Sequence, residues 1–438
     1  MTTTPSTKKL SFLSIFLLGI NGIIGSGIFL LPGQTYAYLG LASVLPTILA
    51  GVAVLLVALN YAVMSSKIAG DGGAWLYADY AFGRFAGFQV GWFGWLFGVI
   101  TLSCEVCALL TILKMIIPAL SNGVIYAVVA VILLLLLGIV NLFGTSFMGK
   151  LDNISTIAKL SVMALFIVVG VFFMHSTNFA LNLPHAATST SGFLTNFTIV
   201  FGLIFYCYTG FNLIPIAGRE MNNPQKSIPR VLIGVIITVT LIYAILQLVT
   251  IGLLGAKLSG NSVPVVAAFE TIVGPLGKYI MIVGMSISVF GVAVANAYNS
   301  PIEAASLADE KGLLPKFMAK KNRFGAPFIA NIATTLVAIV LVLSGGYLFL
   351  VSLIVLTSFV QYLATVLAVI KVRHDPKVPG MKLPGGLLIP GLAMLITLYL
   401  VFSFDIKVAI SGLIFFVIGC LIFTLADTND LAKIEKEL

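Results

Sequence analysis

The sequence predicts an all-α integral membrane protein: twelve transmembrane helices in a five-plus-five inverted repeat, with helices 1 and 6 broken. Three observations predict it. Of 438 residues, 60% are hydrophobic and 9% charged, whereas an average soluble domain carries about 25% charged residues. Apolar stretches of roughly 20 residues, enough to cross about 30 Å of hydrocarbon, recur along the whole length with short polar gaps. Two of them are interrupted by glycine at corresponding places in the two halves of the chain.

Taken in order, the apolar runs fall at about 11–39, 41–66, 84–117, 122–143, 154–174, 194–218, 229–255, 278–306, 327–343, 347–370, 386–403 and 407–426. Residues 1–426 read as one transmembrane domain: repeat one about 11–174, repeat two about 194–370, peripheral helices about 386–426, then a short cytoplasmic tail over 427–438. With the N-terminus cytoplasmic, nineteen of the 24 Lys and Arg lie at the inner face, from Lys8 and Lys9 through Arg84 and Lys316–Arg323 to Lys433 and Lys436. Lys114, Lys257, Lys278 and Lys407 lie outside and Lys159 within a span. Loops rich in Lys and Arg stay on the cytoplasmic side, so the bias predicts a multi-pass protein of the cytoplasmic (cell) membrane with both termini inside.

The same charge pattern argues against nucleic acid as a partner, since the net charge of +9 is spread over loops rather than gathered on a soluble surface. Cys104, Cys107, Cys207 and Cys420 all fall in apolar stretches, and His175, His185 and His374 stand far apart. Neither set forms a metal or catalytic constellation, so no metal and no cofactor is expected. The apolar run after Lys9 continues to Gly40 without a small-residue cleavage site and reads as the first span rather than a signal peptide. No Gly-x-x-x-x-Gly-Lys-Ser/Thr loop is present, so nucleotide-driven action is not encoded.

The broken spans carry Asn21-Gly22-Ile23-Ile24-Gly25-Ser26-Gly27-Ile28-Phe29 and Tyr206-Cys207-Tyr208-Thr209-Gly210-Phe211-Asn212. Glycine weakens a helix and permits unusual dihedrals. Unwound backbone inside a bilayer is tolerable only where protein, a cavity or a ligand satisfies its polar groups. Both gaps are therefore expected to line a site at mid-membrane, at the interface of the two repeats. Gly22, Gly25 and Gly27 also fit a close helix-packing patch, a reading that the second break makes less economical.

At these residues the sequence resembles the amino acid, polyamine and organocation transporter family, and its bacterial amino acid permeases in particular. Four blocks carry the resemblance: Gly25-Ser26-Gly27-Ile28-Phe29, then Gly70-Asp71-Gly72-Gly73-Ala74-Trp75-Leu76-Tyr77 after span 2. Glu220-Met221-Asn222-Asn223-Pro224 through Ile228-Pro229-Arg230 follows span 6, and Asp309-Glu310-Lys311-Gly312-Leu313-Leu314-Pro315 follows span 8. The resemblance implies alternating access around spans 1 and 6 and an amino acid as substrate. It implies a substrate carboxylate on the amides of Ser26 and Gly27, at the positive end of a half-helix, and an ammonium near carbonyls of Ile23, Tyr206 and Thr209. Ile24, Gly25, Cys207, Tyr208, Gly210 and Asn212 complete the expected binding residues. Since the gaps contain no charge, a cationic side chain would be desolvated without a counter-ion, and small neutral L-amino acids fit better.

An ionisable residue in a span is costly and marks a functional hypothesis. The resemblance places Lys159 where sodium-coupled relatives bind a cation, and implies that its ammonium bridges span 1 carbonyls near Gly19 and a span 8 hydroxyl, Ser288 in preference to Ser286. Such a fixed charge argues against sodium and for protons as the coupled ion, although a permanently charged Lys159 pinning an exchanger, or a lysine snorkelling to the interface, are the other readings. Glu105 is expected to pair with Lys114 or with a neighbouring span in preference to relaying protons. Glu303, with Arg219 and Glu220, reads as an ionic gate or a solvated loop. Channel and enzyme readings lack the polar rings and the convergent reactive groups that they require. The particular amino acid, the choice between symport and exchange, and the oligomeric state are not specified by the sequence.

Overall fold

A computed structural model describes residues 11–68, 70, 72–143, 146–180, 183–212, 214–215, 221, 223–309, 312–383 and 385–437, with main chain alone over 146–154, at 225 and over 426–437. Among them the chain is helical throughout, with one isolated bridge between Lys321 and Pro327. In chain order the helices are α1 (Phe12–Ile23), α2 (Gly27–Leu30), α3 (Pro32–Leu39), α4 (Val44–Lys67), α5 (Ala74–Phe82), α6 (Arg84–Leu113), α7 (Gly123–Asn141) and α8 (Ser146–Val171). Then come α9 (Thr190–Cys207), α10 (Pro224–Leu254), α11 (Pro264–Val273), α12 (Pro275–Asp309), α13 (Phe328–Ser344), α14 (Tyr347–Val372), α15 (Leu388–Tyr399) and α16 (Ile406–Glu437).

Among the described residues eight helical runs are each long and apolar enough to cross a bilayer, Pro32–Lys67 being a single run that includes the second half of the first span. With four of the five shorter apolar helices, Phe12–Ile23, Ser155–Val171, Phe328–Ser344 and Leu388–Ser403, they are compatible with the expected twelve spans. In lipid only a helix can satisfy its own backbone, which is why apolar composition and helix coincide along the whole chain. Large apolar side chains point outward along the spans, as at Val124, Val128, Ile132 and Leu135 of α7 and Leu413, Val417 and Leu421 of α16. That outer surface is what lipid requires.

Packing repeats when the first five spans are exchanged for the next five. α12 lies on α6 and α10 on α4, each pair joining equivalent helices. α1 packs on α10 as α4 packs on α9, and α8 packs on α12 as α6 packs on α14. Small residues allow these approaches: a Cβ at Gly51 of α4 would strike Thr240 of α10, one at Gly98 of α6 would strike Ser300 of α12, and one at Gly291 of α12 would strike Ser155 of α8. Such contacts let helix backbones come close where lipid gives no hydrophobic drive for association.

Four elements depart from the sequence reading. α5 and α11 are short helices between spans 2 and 3 and between spans 7 and 8, where loops were expected. They also obey the repeat, since α5 packs along α6 and α11 along α12. At about 1.5 Å per residue, their 9 and 10 residues are too short to register as spans. α8 begins at Ser146 rather than near 154, placing Lys159 in mid-helix. α16 stays helical through Glu437, so the expected tail over 427–438 continues the last helix rather than leaving it.

Loops converge at one end of the bundle. Lys67 donates to the carbonyl of Val378 at 2.9 Å, Arg84 to that of Gly312 at 2.9 Å, and the Tyr80 hydroxyl to Asp375 at 2.9 Å. This is the end that carries Lys316–Arg323, hereafter the basic end.

Candidate functional site

α1 stops at Ile23, Ile24 is extended (φ −77°, ψ 102°), and helix resumes at Gly27. α9 stops at Cys207, and Gly210 then takes a φ of +100°. Only glycine serves there, because a Cβ would also run into the carbonyl oxygen of Gly22. The two breaks therefore touch backbone to backbone. Tyr243 of α10 holds both, its hydroxyl reaching the Cys207 carbonyl at 2.9 Å and the Ile23 carbonyl at 3.4 Å.

A cavity of about 420 Å³ opens from the breaks toward the basic end. Its walls come from Asn21–Gly27 of span 1, Gly94–Glu105 of α6, Tyr206–Asn212 of span 6, Val292–Glu303 of α12 and Gln361 of α14. Of the binding residues expected from the sequence, Ile23, Gly25, Gly27, Tyr206, Cys207, Thr209, Gly210 and Asn212 line it. Three stand back from it. Ile24 is fully buried in packing, Tyr208 turns its hydroxyl away to the carbonyl of Thr47 at 2.8 Å, and Ser26 is fully buried beneath the closed end. There the Ser26 hydroxyl meets those of Tyr206 at 3.2 Å and Tyr347 at 3.1 Å. The Tyr206 carbonyl, expected to be free, accepts from the Thr209 amide at 3.0 Å and the Thr209 hydroxyl at 2.8 Å, which closes a turn after α9.

Lys159 is completely buried and does not snorkel. Its ammonium donates to the main-chain and side-chain carbonyls of Asn21, each at 2.9 Å. The span 1 carbonyl that it reaches is that of Asn21, two residues from Gly19, and Gly19 itself is a packing site where a Cβ would stand 2.6 Å from Ile214. The hydroxyls of Ser288 and Ser286 are both buried without a hydrogen-bond partner, and it is the main-chain carbonyl of Ser288 that is engaged, by the Ser155 hydroxyl at 3.1 Å. The residue two positions beyond Gly19 supplies two oxygens, one from its main chain and one from its side chain, where a lone carbonyl would supply one, and so draws the ammonium.

Glu105 pairs with neighbouring spans, the second of its two expected arrangements, and does not meet Lys114, whose ammonium lies 4.5 Å over the ring of Tyr126. Instead Glu105, 1% exposed, reaches the first break. Its Oε1 accepts from the Ser26 amide at 3.3 Å, the Ser26 hydroxyl at 3.1 Å and the Tyr206 hydroxyl at 3.1 Å. Glu303 lines the cavity nearer the basic end, close against Gly94; Arg219 and Glu220 lie outside the described residues. Asn296, Asn299 and Gln361 were not anticipated, and the spacing Asn296, Asn299, Glu303 on α12 is the helical periodicity that marks one polar face. No group of three metal-ligating side chains occurs among the described residues.

Two facing helix breaks in a membrane-crossing bundle, opening into a cavity on one side, define a multi-pass membrane transporter. The chain belongs to the amino acid permease family, whose model matches residues 10–428, within the amino acid, polyamine and organocation class. It is 27% identical over 431 residues to the branched-chain amino acid permease BcaP of Lactococcus lactis subsp. cremoris, covering 93% of this chain and 91% of that protein. It is 28% identical over 439 residues to the methylthioribose transporter of Bacillus subtilis (95% and 93%), and 26% identical over 384 residues to the serine/threonine exchanger SteT of the same organism (84% and 84%).

Proposed function

We propose that this amino acid transporter carries small neutral L-amino acids across the cell membrane by alternating access, as a proton-coupled symporter with both termini cytoplasmic. The carrying observation is the pair of breaks meeting at the closed end of a one-sided cavity. There the main chain of residues 23–27 and 207–210 is in reach of an amino acid's ammonium and carboxylate, while the cavity behind receives the side chain. Ile23, Ile24, Gly25, Ser26 and Gly27 with Tyr206, Cys207, Tyr208, Thr209, Gly210 and Asn212 are the assigned binding segments, Ile24 and Tyr208 shaping them from behind. Lys159 with Asn21 ties α8 to the first break, so movement of α1 is felt at the buried ammonium. Gly19 and Ser288 support that contact by packing.

Exchange without ion coupling is the second reading, favoured by the two acceptors that hold Lys159 as a fixed pin. Uptake of radiolabelled amino acids into proteoliposomes decides between them. Acceleration by an inward proton gradient into empty vesicles supports symport; dependence on internal amino acid with indifference to the gradient supports exchange. Glu303 in the cavity wall favours a cationic side chain. If lysine or arginine outcompetes serine and leucine in the panel, and Glu303→Gln abolishes that preference, the neutral assignment is wrong. Impermeant thiol labelling of Asn322→Cys in intact cells tests the sidedness, and labelling there would overturn cytoplasmic termini.

A further inference from the structure

We propose that Glu105 and the substrate carboxylate compete for the same donors at Ser26, so that each substrate bound takes up one proton, held on Glu105. The inference rests on the amino acid reading above and gives its coupling a site. Glu105 Oε1 has three donors, the Ser26 amide and hydroxyl and the Tyr206 hydroxyl, whereas its Oε2 is buried with no partner. Three donors on one oxygen are the surroundings of a carboxylate. Glu105 is thus an internal anion where the first break offers its hydrogen bonds. Gly25 leaves room for it, since a Cβ there would lie 2.9 Å from Oε1.

A substrate carboxylate arriving at Ser26 removes two of those three donors from Glu105. Two carboxylates then share one desolvated place, and like charges that close do not both stay ionised. The proton comes from solution through the open cavity, from a hydronium ion that is left as water, and forms an O–H bond at Glu105. The acid so formed has a donor to offer the substrate carboxylate, and the proton leaves when the substrate does.

The surrounding groups do not supply a rival. Tyr206 and Cys207 face Glu105 from α9, Tyr347 from α14 and Cys104 from its own helix, all neutral at ordinary pH. Lys159 of α8 is occupied by Asn21. Glu303 of α12 lies by Gly94, eleven residues along α6 from Glu105, or about 16 Å at the helical rise. α13 carries no ionisable residue, the Tyr126 ring of α7 lies under Lys114, Asp79 of α5 sits by Gly87, and Lys407 of α16 is exposed.

Calorimetry on the purified full chain, titrated with L-leucine, L-serine and L-threonine in buffers of different ionisation enthalpy, counts the protons. The expected result is one proton taken up per substrate, with affinity weakening about tenfold per pH unit where that proton must be acquired. Glu105→Gln is expected to bind with no proton uptake and no pH dependence, while Glu303→Gln keeps the wild-type count. Leucinol, which lacks the carboxylate, should bring in no proton. Wild-type binding without proton uptake overturns the inference alone, as does full uptake retained in Glu105→Gln. Absence of binding by any amino acid overturns the transport reading and the inference with it. The wild-type count stands even if Glu105→Gln fails to fold.

Discussion

At Asn21 one residue offers two oxygens to a buried ammonium inside the membrane, its main-chain carbonyl and its side-chain carbonyl. Hydrogen bonds to charged groups are worth about 1.5–3 kcal/mol, so Asn21→Ala should lower thermal stability in detergent by that order and slow transport. Lys159→Ala removes the charge together with its need for partners; it should remain folded while transport is impaired or uncoupled. Wild-type rates in that variant would remove Lys159 from the mechanism. Gly27 has a different constraint, since a Cβ would stand 2.6 Å from the Cys207 sulfur and 2.8 Å from the Tyr206 ring. Gly27→Val should therefore abolish substrate binding, and unchanged affinity would move the site elsewhere. Outside the spans, the Asp375 carboxyl is held below its usual range by the Lys377 amide and the Tyr80 hydroxyl. A depressed carboxyl contributes stability above its unfolded value and loses it as pH falls. On a group at the protein surface that contribution is screened, and Asp375→Asn should leave the melting temperature unchanged at pH 7.

Among the elements, those with a composition signal were the legible ones. Both breaks were visible because glycine and the lack of charge fall at matching places in two apolar runs. α5 and α11 were not, because helices of 9 and 10 residues show no span-length signal. Glu105 shows the deeper limit. Read along the chain, its nearest cation is Lys114, nine positions away; in the fold, its partner is Ser26, 79 positions away, and no local pattern joins the two. Lys159 was recognisable as unusual for its charge alone, yet its acceptor required knowing where α1 ends. Helix contacts through small residues give an element-scale test: Gly291→Leu would drive a side chain into Ser155 of α8. Overpacking of this kind costs about 1–3 kcal/mol, and a thermal shift assay should register it while Gly391→Leu, with open space around its Cβ position, has no such effect.

For the molecule as a whole, the cavity reaches one end only. Asn299 is exposed beside it, whereas Ser26, Tyr206 and Tyr347 close the other end by hydroxyl contacts. Asn299→Cys in a Cys207→Ala background should react with an impermeant thiol reagent from the basic side, and substrate should slow that reaction by shifting the population toward closed states. Equal labelling from both sides would contradict a one-sided cavity.

The Tyr243 hydroxyl holds two carbonyls, one in each half of the inverted repeat. A hydroxyl has one proton to donate, so two acceptors placed within its reach make it a bifurcated hinge pin rather than two independent latches. Whatever displaces one break must loosen its hold on the other. The seventh span thereby acts as a common axle for two half-helices that are nearly two hundred residues apart in the chain. A tyrosine lacking only that oxygen, Tyr243→Phe, would leave two wheels free to turn separately: substrate would still find its place, but its arrival at one break would no longer be transmitted to the other.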